Sequence, residues 1–171
     1  YTGSTLISGG TLALTDSAKL SGTTDITVDY AATLSIGNTG TVDLGNRIND
    51  AATVKLRGGT LTFLGRAQAA SAETLGAVTI DAGLSTITST PGGTGVNSAD
   101  LTLGSLTRAN SGLVNFTANT GLGQIGGSGR VLITSNPSLP SNIIGAWAIV
   151  GGADWASYNA TYGVGALNAA G

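Results

Sequence analysis

Short runs of alternating apolar and polar residues recur along the chain. Leu12-Ala13-Leu14, Ile26-Thr27-Val28, Leu34-Ser35-Ile36 and Val42-Asp43-Leu44 come first. Val54-Lys55-Leu56, Leu61-Thr62-Phe63, Val78-Thr79-Ile80 and Leu101-Thr102-Leu103 follow, then Leu113-Val114-Asn115-Phe116 and Val131-Leu132-Ile133. In the triplets the apolar residues sit at i and i+2, which a strand places on one face, with the middle residue on the other. Between the runs lie Gly, Asn, Asp and Ser, which tolerate turns and positive φ. Helical periodicity is missing, because Gly or a β-branched residue interrupts almost every window. The one stretch suited to a turn or two of helix is Arg66 to Leu75, which reads RAQAASAETL.

The spacing of these runs selects among all-β architectures. Ile26 to Leu34 and Leu34 to Val42 are eight residues each, and Val54 to Leu61 is seven. No Asn-Gly or Asp-Gly dipeptide joins any pair, so the hairpin signature is absent. Short, evenly placed strands suit a β-solenoid, in which each strand pairs in parallel with its counterpart one turn on. Such a coil keeps strand edges only at its two ends, which matters for a chain with little charge to protect them. At roughly 20 residues per turn, about eight coils are expected. Gly9-Gly10-Thr11-Leu12-Ala13-Leu14 matches Gly58-Gly59-Thr60-Leu61-Thr62-Phe63, a weak internal repeat.

The segment Tyr1-Thr2-Gly3-Ser4-Thr5-Leu6-Ile7-Ser8-Gly9-Gly10-Thr11-Leu12-Ala13-Leu14 resembles the autotransporter-associated β-strand repeat. Leu44-Gly45 and the segment from Gly145 to Ala156 resemble stretches that commonly follow it. The resemblance implies a right-handed parallel β-helix, exported and displayed on a bacterial surface as one section of a long passenger. It implies no catalytic residue. Arg66 to Leu75 and Thr90 to Ala99 depart from a repeat array and are expected to bulge as loops near 66–75 and 90–99. The expected organisation is one domain: solenoid coils over residues 1–136 and a C-terminal coil, cap or docking segment over 137–171.

Composition narrows the chemistry. The chain has 171 residues, 9% charged, with no His and no Cys. A Ser-His-Asp triad, a thiol nucleophile, a disulfide and a His- or Cys-ligated metal are therefore excluded. The net charge is −2, and seven basic residues lie singly between Lys19 and Arg130. They form no stripe for phosphates, which argues against a nucleic-acid partner. No apolar run approaches the ~18 residues of a membrane helix. The sequence has no Met, so Tyr1 is read as an internal or processed N-terminus. Abundant Gly, Ser, Thr and Asn with little charge fits an extracellular bacterial protein.

β-Helices also host carbohydrate-active enzymes, which need clustered carboxylates. Asp25 and Asp29 flank one strand, and Asp43 and Asp81 are placed to stack across rungs. Isolated outward Asp residues that keep the surface soluble are the simpler reading. Gly92-Gly93-Thr94-Gly95 lacks the acids of a calcium loop and the Lys of a phosphate loop. It reads as a surface loop, as does Gly121 to Gly127. Thr60-Leu61-Thr62 and Thr86-Ile87-Thr88 suit outward strand positions, with too few pairs in register for an ice-binding array.

The segment from Pro137 onward is more apolar and holds Trp147, Trp155, Tyr158 and Tyr162. With Tyr1 these are the candidate assembly residues, and Asn168 to Gly171 would run smoothly into another Tyr1-Thr2-Gly3. The expected function is structural: a segment or subunit of an extracellular fibre or surface passenger, joined head to tail to copies of itself. No catalysis, cofactor or metal is expected. An adhesin for surface glycans is the alternative, and a carbohydrate-active enzyme a further one. Carboxylates clustered with a basic residue on one lateral face would favour the enzyme.

Overall fold

The computed structural model describes residues 1–93, 98–119, 121–123 and 129–167. It is all-β, with no α-helix among the described residues. The chain winds between two walls as a parallel β-solenoid. One wall stacks β1 (Thr5–Ile7), β3 (Asp25–Val28), β5 (Thr53–Arg57), β7 (Ala70–Ala82), β9 (Ser98–Arg108) and β11 (Gly129–Ile133) in that order. The other stacks β2 (Gly10–Leu14), β4 (Ala32–Gly37), β6 (Thr60–Ala67), β8 (Leu84–Gly92), β10 (Leu113–Thr117) and β12 (Ala148–Val150). Every pairing within these two series is parallel.

The eight coils expected are not present. Register advances 21 residues from Thr5 to Ile26, 28 from Ile26 to Val54 and 24 from Val54 to Val78. It advances 30 from Leu101 to Val131. The eight-residue spacing measures the step from one wall to the other. It says nothing of the connections that lead back, which vary in length. Val42-Asp43-Leu44 has the same apolar spacing as its neighbours but lies in the connection between β4 and β5. Its backbone is held instead by side chains, with Leu44 N–H donating to Asn38 Oδ1 at 3.3 Å and Asn38 Nδ2 donating to Leu44 O at 3.1 Å.

Arg66 to Leu75 is neither a bulging loop nor helical. It is the end of β6 and the first half of β7, joined through Gln68 at φ 59°. The helix preference of Ala, Gln and Glu amounts to tenths of a kcal/mol per residue. Against it stand the parallel ladder from Ala70↔Ser98 to Leu75↔Leu103 and the burial of Ser71, Glu73 and Leu75 on alternate positions. In the other expected insertion, residues 90–92 close β8 and Ser98 and Ala99 open β9, while 94–97 lie outside the described residues.

The core is a set of inward columns. Ile26, Val54 and Val78 stack in one wall, and Leu34, Leu61, Ile87 and Phe116 in the other, each buried. Leu12, Leu34 and Leu61 share a column, so the two Gly-Gly-Thr-Leu segments occupy equivalent places two strands apart. Corners from the first wall to the second need a left-handed residue: Ala31 (φ 59°), Gly58 (φ 78°), Gly83 (φ 64°) and Asn110 (φ 45°) take this role.

The two ends differ. β1 and β2 are the outermost strands of their walls and are paired on one side only. At the far end the parallel winding stops: β13 (Asp154–Asn159) pairs antiparallel with β12, and β14 (Gly163–Ala166) antiparallel with β13.

Candidate functional site

Three groupings of polar and aromatic residues were candidates. The first is a ladder at one corner. Arg57 Nε lies 3.1 Å from Asp81 Oδ2, and Arg57 Nη1 lies 3.7 Å from Asp29 Oδ1. Asn110 Nδ2 donates to Asp81 Oδ1 at 2.5 Å. Asp29 and Asp81 come from the rungs on either side of Arg57, so its guanidinium stands between the two carboxylates. This is the cluster of acids with a base that would favour a carbohydrate-active enzyme. Its chemistry points elsewhere. Hydrogen bonds from Arg57 and then Asn110 hold the Asp81 carboxyl below its ordinary range, and a general acid needs the opposite shift. Both Asp81 oxygens already accept hydrogen bonds, from Arg57 and from Asn110. Asp25 is not part of the ladder; its Oδ2 accepts from Thr24 Oγ1 at 3.0 Å.

The second grouping is buried beneath the connection of residues 38–52. The first half of β7 extends past the start of β5, so Glu73 finds no strand on its N-terminal side. The connection fills the place. Glu73 Oε1 accepts Ile48 N–H at 2.8 Å and Arg47 N–H at 3.0 Å, as a neighbouring strand's carbonyls would. Arg47 is fully buried, donating to Asn38 Oδ1 at 2.7 Å and to the carbonyls of Asp16, Ala18 and Val42. Ser71 Oγ donates to Asp43 Oδ2 at 2.9 Å and accepts Arg66 N–H at 2.8 Å, so Asp43 belongs here and not to a lateral stack. Burial raises the Glu73 carboxyl to about 6, against the lowering effect of the Ile48 and Arg47 amides. Arg47, Ser71 and Glu73 are buried and Asp43 lies exposed at the margin, so the network is a clamp on the connection. Among the described residues no group of three or more acidic side chains is placed to hold a metal ion.

The third grouping is at the ends, where the candidate assembly residues lie. They are not brought together. Tyr1 is 75% exposed at the open end, with its hydroxyl bonded to Ser4 O. Trp155 is 45% exposed on β13 at the other end. Tyr158 is spent internally: its hydroxyl accepts Ile133 N–H at 3.0 Å and donates to Ile133 O at 2.8 Å. It thereby satisfies Ile133 on the outer edge of β11. Trp147 packs against the core over Gly145, and Tyr162 is half-buried with its N–H donating to Asn159 Oδ1. β14 packs against β11 at this end of the solenoid, with Val164 fully buried and Gly163 so close to Val131 O that there is no room for a Cβ. A cavity of about 230 Å³ beside this cap is lined by Leu139, Asn142, Ser157, Tyr158 and Asn159 among others, none of them acidic or basic. Residues 168–171, expected to lead into a further copy, lie outside the described residues.

No family model, curated protein or solved structure matches the chain. No helix among the described residues is long and apolar enough to cross a membrane.

Proposed function

We propose that this chain is a structural segment of an extracellular, surface-displayed bacterial solenoid, right-handed as the resemblance to the autotransporter-associated repeat implies, and without catalytic activity. The observation that carries the reading is the inequality of its ends. β1 and β2 present unpaired edges of parallel wall strands, whereas at the other end the chain turns antiparallel through β13 and β14 and the Tyr158 hydroxyl takes up the N–H and C=O of Ile133 on β11. Unpaired parallel edges accept another strand through main-chain hydrogen bonds. The open end is therefore the joining surface, and its partner is a further solenoid coil, from a second copy or from the same polypeptide. Joining through both ends, as a head-to-tail fibre needs, is disfavoured by the antiparallel cap, which interrupts the parallel stacking of coils. The continuous dry core and stacked strands supply stiffness.

The test is the mass of native material under denaturing conditions, followed by light scattering of the purified chain. A denatured species many times heavier than 16.7 kDa supports a covalent solenoid. A 16.7 kDa species that self-associates, and ceases to when Leu6 is replaced by Pro, supports joining through the edge. A 16.7 kDa monomer at all concentrations overturns the proposal. Proteolysis of intact cells checks the location: a segment untouched by external protease, yet cleaved after lysis, is not on the surface.

A further inference from the structure

The outward face of the second wall carries an ordered array that the spacing of the sequence does not reveal. Register places Thr11, Thr33, Thr60, Thr86 and Asn115 in one column. It places Ala13, Ser35, Thr62, Thr88 and Thr117 in the next. Seven of these ten positions are Thr; full Thr-x-Thr pairs remain the two expected, Thr60/Thr62 and Thr86/Thr88 on adjacent rungs, and the register adds single Thr residues above and below them. The columns are hidden in the sequence because the steps between rungs are unequal: 22, 27, 26 and 29 residues along the first column. Only the fold lines them up.

Three properties of the array point to its ligand. Its backbone is regular in two directions: rungs repeat every ~4.8 Å, and positions i and i+2 stand ~6.7 Å apart along a strand. The wall's register shift falls between Leu64 and Ala67, beyond both columns. Its side chains are small: each of the seven Thr offers one methyl and one hydroxyl, with Ala13, Ser35 and Asn115 at the other positions, and the Thr88 and Thr117 hydroxyls hydrogen-bond each other at 2.7 Å. It also lacks the groups other ligands need. Neither column holds a charged residue, which removes the attraction for phosphates, acidic glycans or anionic lipid. Neither holds an aromatic ring to stack on sugars. What remains is a lattice of small hydroxyls and methyls whose two backbone repeats approximate those of oxygen atoms on the prism face of hexagonal ice.

We infer that this face binds ice. The hydroxyls hold a layer of water in lattice positions while the methyls keep that layer from being pulled into bulk solvent geometry. The layer then freezes to the crystal and anchors the protein. The inference rests on the parallel register of the second wall and is independent of how the ends are joined.

The test is thermal hysteresis and ice-affinity partition of the purified chain, with three variants. Thr62→Tyr and Thr86→Tyr raise bulk out of the array, at positions where Tyr suits a strand. Thr79→Tyr does the same on the outward face of the first wall. Far-UV circular dichroism first establishes that each variant is folded. The expected result is faceted ice and measurable hysteresis for the unmodified chain and Thr79→Tyr, and loss of most of it in both array variants. An unmodified chain that is folded yet is excluded from ice like an inert protein overturns the inference. So does equal loss in Thr79→Tyr, or retention on crystalline cellulose or chitin without any partition into ice.

Discussion

Replacing Glu73 by Gln should remove a pH dependence that the buried clamp builds into the fold. The folded carboxyl titrates near 6 instead of 4.5, chiefly because it is buried. A folded pKa raised above the unfolded one means that the native state holds the proton more tightly. This contribution to stability is fully present below about 4.5 and is lost as pH rises through about 6. One pKa unit is about 1.4 kcal/mol, so the window is worth about 2 kcal/mol. Gln keeps an oxygen for the Ile48 and Arg47 amides but cannot ionise. The unfolding free energy of the variant minus that of the unmodified chain should therefore rise by about 2 kcal/mol between pH ~4 and pH ~7. Using the difference cancels the other carboxylates, among them Asp81, whose lowered pKa acts in the opposite sense at more acid pH. The assay is urea denaturation followed by circular dichroism, with fitted midpoints and slopes compared at each pH. A difference that stays flat from pH ~4 to pH ~7, or falls, refutes the reasoning.

Three further outcomes follow from the packing. Phe63→Ala empties a fully buried position in the second wall and should cost about 3–5 kcal/mol in urea denaturation. Tyr158→Phe leaves the Ile133 N–H and C=O without the hydroxyl that satisfies both. It should cost about 1–3 kcal/mol and speed hydrogen exchange at the Ile133 amide, while the Leu34 amide is unaffected. Ala31→Gly relieves a left-handed corner at φ 59°. Relief of about 1–2 kcal/mol, offset by about 0.5–1 kcal/mol of glycine entropy, should raise Tm by a few degrees in a calorimetric scan.

Much of the fold was legible in the chain. Ile26-Thr27-Val28, Leu34-Ser35-Ile36 and Leu61-Thr62-Phe63 alternate because one face of each strand meets the core and the other meets water, and that local rule survives folding. The parallel solenoid followed from even spacing without hairpin signals. Val42-Asp43-Leu44 shows where the rule stops. Its pattern is that of a strand, but the clamp made by Asn38, Arg47 and Glu73 holds residues 38–48 against β7, and no neighbouring strand pairs with it. The reading of Arg66 to Leu75 erred for the converse reason: local helix preference was outweighed by a long ladder to β9. The candidate sites were less legible. Aromatic residues near the C-terminus looked like a docking surface, yet Tyr158 turns inward to finish the edge of β11.

By itself the sequence determined strand as the element, two faces for each strand, and a surface with hydroxyls in place of charges. It also excluded thiol, imidazole and disulfide chemistry by composition. The tertiary structure alone decided the number and length of turns, because turn length lies in connections that carry no periodic signal. It also decided which distant residues share a column. Thr33, Thr60 and Thr86 are 27 and 26 residues apart, yet they become neighbours only when each intervening connection closes on the same wall. Burial of Glu73 beside Ile48 has the same origin. A contact between residues far apart in sequence is a property of the register, and the register is set by how the whole core packs.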